Sequence, residues 1–502
     1  MTAPTFGILF NTLSDDPLPP ILSDFSIGYI VSWSNDANPT VFPLDKAVAC
    51  NSGDASTLAA LGTGMLYKAV LRVNAQLAPF QRSARLIIVR ILAVYKPDGS
   101  LDLAATMANA LGSPAAATGI YALLTAPTVA KAIPRLGIVP GLTGFTSFAL
   151  MAPVVTAQGS GYTHPVLTFN PPGAAGTVQI DGSGKVTGVS LTSPGQYDPG
   201  VVVTGTIADS QGGTGTGATV TFSLERLANP ICAALPPINT ALKAHALVGG
   251  PGGTKQDALD WRQTLNSGTL IPSDAVEIIE TLDGTSTEYI DGVCKELGLA
   301  IASDFEHNGY PFHSWANRPI QGALGVKRVD GFSIYDGAND GQELLAAGIG
   351  ITTAGDAQDG AIDDSGLISI SLNNASSNPL YNLYNKTRGK DFIDVALGKS
   401  IRKRLGTKNM TRKGVDAVIN DMTIVNVAIQ SLDDPGIVGF KVKFVPADNT
   451  VERLRLGQFT VENDTEIPAP ITQVTVNRGL DRDAELTLLQ QLAADGTSST
   501  AS

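Results

Sequence analysis

The spacing of apolar residues changes period several times along the chain, most clearly between residues 391 and 477. Ile393, Leu397, Ile401 and Leu405 recur every four residues, which predicts one apolar helical face and leaves Lys399, Arg402, Lys403 and Arg404 on the other. After Gly406, with Thr411 as a cap, a second helical pattern runs through Val415, Val418, Ile419, Met422, Val425 and Ile429. It stops at Asp433-Asp434-Pro435-Gly436. The period then becomes two: Val438, Phe440, Val442 and Phe444 alternate with Gly439, Lys441 and Lys443, which predicts a half-buried strand. Two further β-like runs, 452–461 and 471–477, are joined through Ile467-Pro468-Ala469-Pro470.

Upstream, residues 1–24 hold Pro4, Pro17, Pro19 and Pro20 and read as an extended arm. Residues 25–152 alternate strand and helix patterns (strand 27–33, helix 56–76, strand 85–93, helix 101–111, strand 132–140), which predicts an α/β layer. Residues 153–226 then lose most Leu and charge and become rich in Gly, Thr and Val. Here Gly159-Ser160-Gly161-Tyr162 returns as Pro194-Gly195-Gln196-Tyr197, and Gly176-Thr177-Val178 as Gly217-Ala218-Thr219-Val220, which predicts a duplicated, outward-facing β unit inserted into the layer. The α/β pattern resumes over 227–385: strand 244–248, a helix through Leu259 and Leu265, strand 275–282, helix 288–300, then fragments and an acidic loop at 356–364. Residues 386–480 form a C-terminal module, and 481–502 a helix and tail. The expected fold is a multidomain α/β (α+β) protein with discontinuous α/β sandwich domains, an inserted all-β domain, and a C-terminal helix pair leading into a sheet.

Charge sharpens this picture. The 502 residues carry a net charge of -12, which argues against nucleic-acid binding by bulk charge. Between Lys386 and Lys413, however, about ten basic residues face two acidic ones, so this segment is roughly +8 and the remainder roughly -20. No apolar run reaches the ~20 residues of a membrane-spanning helix, and the first ten residues lack the pattern of a secretory signal. The protein is expected to be soluble and made in the cytoplasm.

Three stretches carry a resemblance. Phe42-Pro43-Leu44, Gly62-Thr63-Gly64 and Leu86-Ile87-Ile88-Val89-Arg90 form the first. Asp304, Gly309-Tyr310, Trp315-Ala316-Asn317, Ile320, Gly322 and Gly325 form the second. Lys441 to Asn449 (KVKFVPADN), Leu456-Gly457-Gln458-Phe459 and Pro468-Ala469-Pro470-Ile471 form the third. Together, in this order, they resemble the sheath proteins of contractile phage tails and related injection devices. The resemblance implies a subunit that polymerises helically around a tail tube and contracts to drive it through the host cell envelope during genome delivery. It also implies a C-terminal module against the tube, terminal arms linking subunits, and a place in the virion tail after assembly in the host cytoplasm. The implied partners are further copies of the chain, the tail tube protein, and baseplate and neck or terminator proteins, without nucleic acid, membrane insertion or cofactor. On that basis Lys399, Arg402, Lys403 and Arg404 are expected to face the tube. The β unit resembles Gly- and Tyr-rich modules that decorate virions, so a static surface adhesin or decoration protein is the alternative.

Catalytic patterns fail on spacing. Gly249-Gly250-Pro251-Gly252-Gly253-Thr254-Lys255 lacks the Gly-Lys-Ser/Thr of a phosphate-binding loop and reads as a strand-to-helix turn. The acidic loop has no EF-hand spacing, and the four His show no two-His ligand spacing. Asp304, Glu306 and His307 are expected to be structural, and Trp261 to be core. Cys50, Cys232 and Cys294 have no CxxC spacing and read as buried thiols; exposed, any of them would be a candidate for a disulfide to a neighbouring subunit.

Overall fold

A computed structural model describes residues 24–144, 147–197, 201–354 and 366–496. The expected arm (all but Asp24), the acidic loop and the last residues of the tail lie outside the described residues. The chain divides into two compact units, Met1–Pro468 and Ala469–Ser502.

The first unit begins with β1 (Gly28–Trp33), β2 (Ala47–Asn51), α1 (Ala55–Ala60), α2 (Met65–Leu77), β3 (Arg85–Ile91), α3 (Leu103–Leu111), α4 (Ala126–Val129) and β4 (Leu136–Ile138). The helix expected over 56–76 is two helices. Gly62 has φ +74°, and a Cβ on Gly64 would fall 2.6 Å from Ser34 Cα, so the chain breaks where it crosses β1's end. Six strands follow: β5 (Phe148–Ser160), β6 (Pro165–Asn170), β7 (Ala175–Ile180), β8 (Val186–Ser193), β9 (Thr204–Asp209) and β10 (Thr216–Arg226). Next come α5 (Pro230–Leu242), β11 (His245–Gly249), α6 (Lys255–Gln263), β12 (Leu270–Ser273), β13 (Val276–Glu280), β14 (Thr287–Asp291) and α7 (Val293–Glu306).

The central sheet has the order β12-β11-β4-β1-β3-β2, parallel except for β2 at one edge. Its strands come from both sides of the β5–β10 segment. They are near-continuous apolar runs because both faces are covered. Alternate residues divide between two cores: Tyr29, Val31, Ile87 and Val89 point to one, Ile30, Leu86 and Ile88 to the other. The first core lies under α3 and α5, the second under α2 and α7. Gly137 lets β4 pass under the Tyr29 ring, where a Cβ would fall 2.2 Å from ring carbon Cγ.

Three elements differ from expectation here. Helix α5, with Pro236 and Pro237 inside it, has no counterpart in the sequence pattern; Asn229 caps it by accepting from the Ile231 and Cys232 amides, and Pro230 sits in its first turn. The strand expected over 275–282 is preceded by a further strand, β12. The helix expected from residue 288 begins at Val293, because Thr287–Asp291 pairs with β13.

Within β5–β10, β5 pairs with β10, β6 with β9 and β7 with β8, all antiparallel, around a small core of Tyr162, Leu167, Val186, Ile207 and Val220. The sequence repeat has a physical basis. A Cβ on Gly159 (φ +62°) would fall 2.8 Å from the Tyr162 ring, and one on Gly195 (φ +70°) 2.7 Å from the Tyr197 ring. Each hydroxyl then accepts a backbone N–H, from Ala218 at 3.2 Å and Ala174 at 2.8 Å.

The unit continues with β15 (Arg318–Pro319), β16 (Gly325–Val326), α8 (Asp340–Ala346), β17 (Ile351–Ala354) and β18 (Leu367–Ile370). It closes with α9 (Tyr384–Arg402), α10 (Arg412–Gln430), β19 (Gly439–Phe444), α11 (Val451–Arg455) and β20 (Val461–Glu466). Helices α9 and α10 bury Phe392, Ile393, Leu397, Val418, Met422, Val425 and Ile429 in a third core with Phe25 and Phe312. Helix α9 ends before Leu405, which is 69% exposed and off the apolar face. The β run expected over 452–461 is α11 followed by a turn, since Thr450 accepts from the Arg453 amide and starts a helix. In the second unit, residues 471–477 form no strand within the single chain, and α12 (Arg482–Gly496) follows.

Candidate interaction surfaces

Residues of each of the three sequence stretches meet partners inside the first unit. In the first stretch, the Arg90 guanidinium is buried and donates to the carbonyls of Phe42 at 2.6 Å and Ser34 at 3.3 Å, joining β3 to the loop before β2. In the second, Asp304 on α7 takes a two-point ion pair from Arg388 on α9, at 2.6 and 3.2 Å, with both side chains buried. Burial pushes the Asp304 carboxyl up to about 6, against the opposing pull of Arg388. Trp315 stacks on Tyr384 of α9, 3.8 Å between ring centres, and its indole N–H donates to buried Glu296. The module built on α9 and α10 is therefore tied to the α/β layer by buried polar contacts. In the third, Asn449 donates to the carbonyls of Val445 and Thr460 and accepts from the Thr460 amide, holding the loop between β19 and β20.

Strands β19 and β20 pair only with each other among the described residues, from Gly439↔Glu466 to Phe444↔Val461. Both outer edges of this two-stranded sheet therefore keep unpaired backbone groups. Ile471, Val474 and Val476, in the expected terminal strand, are all exposed.

The basic cluster does not form one uniform face. Arg404 lies beyond the end of α9 and clamps buried Asp421 of α10 through two hydrogen bonds, 2.7 and 3.1 Å, while its own side chain stays 28% exposed. A carboxylate buried beside it needs a partner. Lys403 reaches the same carboxylate at 3.6 Å but stays about half exposed. Lys399 is exposed, and partial burial together with the Arg135 charge holds its amine below the usual range. Arg402 is exposed and forms no ion pair among the described residues, and Lys408, Arg412 and Lys413 extend the positive surface across the α9–α10 connection.

The cysteines separate. Cys232 and Cys294 are buried, which removes both as candidates for a bond between subunits. Cys50 lies half-buried on edge strand β2; burial, with Asp54 nearby, pushes its thiol up to about 12, so it is a poor nucleophile at neutral pH.

No family model and no curated protein sequence matches the chain. Solved structures do. The chain aligns with the sheath complex of the extracellular contractile injection system PVC in its contracted state, at a TM-score of 0.56 and 10% identity, over 96% of this chain and 99% of that one. It aligns with the contracted helical sheath of the anti-feeding prophage at 0.53 and 10%, over 96% and 100%. A chain of the same particle's baseplate aligns at 0.52 and 9%, over 96% and 100%. The chain has the contractile-sheath fold.

On this sheath fold the glycine-rich loop is a strand-to-helix turn. Thr254 caps α6 in a reciprocal pair with Asp257, and Lys255 is held by Asp340 at 2.8 Å and Glu343 at 2.7 Å. Trp261 is wholly buried and donates to the Thr143 carbonyl at 3.1 Å. Among the described residues, no helix is long and apolar enough to cross a membrane.

Proposed function

We propose that the protein is a non-enzymatic sheath subunit, which polymerises helically around a tail tube and shortens to drive it through a host envelope for genome delivery. The observation that carries this reading is the match over 96% of the chain to a sheath in its contracted state. The open edges of the β19–β20 sheet supply a mechanism for linkage. Backbone hydrogen bonds from a neighbour's terminal arm, residues 471–477 or the segment before Asp24, complete the sheet and survive rotation of whole subunits. A heterologous contact repeated without closure makes a filament. Buried contacts such as Arg388–Asp304 keep the first unit of each subunit together.

In this reading Arg402, Lys403, Lys408 and Lys413 face an acidic tube surface, with Lys399 at the margin of the patch. Exposed ion pairs contribute about 0–1 kcal/mol each and are screened by salt, so they register the sheath on the tube without anchoring it. The β5–β10 unit, with its own core, projects outward. Baseplate and neck proteins bound the ends of the polymer, which assembles in the host cytoplasm and functions in the virion tail. Negative-stain microscopy of the purified protein tests the proposal: hollow tubes of uniform width support it, and discrete monodisperse particles contradict it.

A further inference from the structure

We infer that His307, His313 and Asp434 form a binding site for a zinc-class divalent cation that links the α/β layer to the C-terminal module. One ring nitrogen from each histidine and one carboxylate oxygen all lie within 4.8 Å of one another. The three come from separate segments: His307 closes the C-terminus of α7, His313 lies in the loop toward Trp315, and Asp434 sits in the turn after α10.

The donor chemistry selects the ion. The His307 ring donates from Nδ1 to the Ser303 carbonyl at 2.8 Å, which places its proton there and leaves the Nε2 lone pair free. Metal-binding histidines have this arrangement, with the second nitrogen held by a carbonyl or carboxylate. His313 Nδ1 lies 3.3 Å from Asp434 Oδ2, so the second imidazole and the carboxylate are already neighbours. Two nitrogens and one oxygen suit zinc with water in a fourth position, and not calcium or magnesium, which take oxygen ligands.

Binding requires a small rearrangement. The two rings are stacked, 3.5 Å between centres and 14° from parallel, whereas an ion lies close to the plane of each imidazole that binds it. Bonds of about 2.0–2.1 Å to a tetrahedral ion put donor atoms about 3.4 Å apart, so the trio must close by roughly 1 Å. His313 is only 20% exposed, and Asp434, 66% exposed on a turn, has room to move. The ion exchanges the ring stack for three bonds and fixes the turn after α10 to the end of α7.

The test uses untagged, full-length protein stripped with a chelator and titrated with Zn²⁺ against a chromophoric competitor. One Zn²⁺ per chain is expected, weakened at least about tenfold by His307→Gln and by Asp434→Asn and unchanged by His164→Gln, a histidine outside the trio. Loading the native chain with Co²⁺ should give the intense visible absorption of a four-coordinate site. Absence of stoichiometric uptake, or uptake that His307→Gln and Asp434→Asn leave intact, overturns the inference. Should His307→Gln fail to fold, the Co²⁺ spectrum of the native chain and the exposed-turn variant Asp434→Asn decide it.

Discussion

Replacing Arg388 by Met tests the idea that a buried ion pair holds the C-terminal module to the α/β layer. Arg388 is fully buried and Asp304 only 2% exposed, so the variant leaves a carboxylate in the interior without its two-point ion pair. Breaking a buried pair on one side costs about 3–5 kcal/mol, a third or more of a typical domain's stability. The pH dependence gives the sharper signature. Asp304 titrates near 6 in the folded chain because of burial, above the ~3.9 of an unfolded Asp. The folded state therefore binds the proton more tightly, and stability from this group rises as pH falls from above 6 toward 4, by ~3 kcal/mol in the native protein. Without Arg388 the carboxyl moves higher still, so the gain on acidification grows and begins at higher pH. Urea unfolding followed by tryptophan fluorescence is the assay, since Trp315 lies 5.4 Å from the guanidinium. Arg388→Met should lose about 3–5 kcal/mol at pH 7.5, recover part of it at pH 5.5, and recover most with Asp304→Asn added. A variant within ~1 kcal/mol of native at pH 7.5, with an unchanged pH profile, refutes the reasoning.

Other expectations follow from single contacts. Gly298→Ala should lose about 1–3 kcal/mol in thermal unfolding, since its Cβ would fall 2.8 Å from Gln76 Cβ and 2.9 Å from the Val73 carbonyl where α7 crosses α2. Arg402→Glu with Lys403→Glu should leave tubes of sheath alone intact and abolish assembly of extended sheath on tail tubes; normal tails from this variant would return the patch to a solvated face. Replacing residues 153–226 by a short linker should leave polymerisation intact, whereas loss of the folded α/β layer, seen by circular dichroism, would make the β unit part of the core. Thiol titration of the native protein should modify Cys50 slowly and Cys232 and Cys294 only after unfolding.

The helix pair and the strand after it were legible because periodicity reports burial directly: Ile393, Leu397, Val418, Met422, Val425 and Ile429 all lie in one core. Periodicity stays silent where a polar group decides the structure. Arg404 reads as one more cation on a basic face, and only the fold brings buried Asp421 of the next helix to it. Arg388 and Asp304 are 84 residues apart, and His307 and Asp434 more than a hundred, so spacing carried no sign of either cluster. Helix α5, with Pro236 and Pro237 inside it, and strand β12, with Pro272, form where tertiary packing outweighs the local propensity of proline.

Arms added to the β19–β20 sheet are the proposed link between neighbouring copies. A helical reconstruction of the polymerised protein by electron cryomicroscopy tests it most directly. The expected result is a hollow helical array in which each first unit keeps its internal fold, while residues 471–477 of one copy run as a strand along β19 or β20 of another. An array in which those edges stay unpaired, or an assembly that closes into discrete particles, would contradict it.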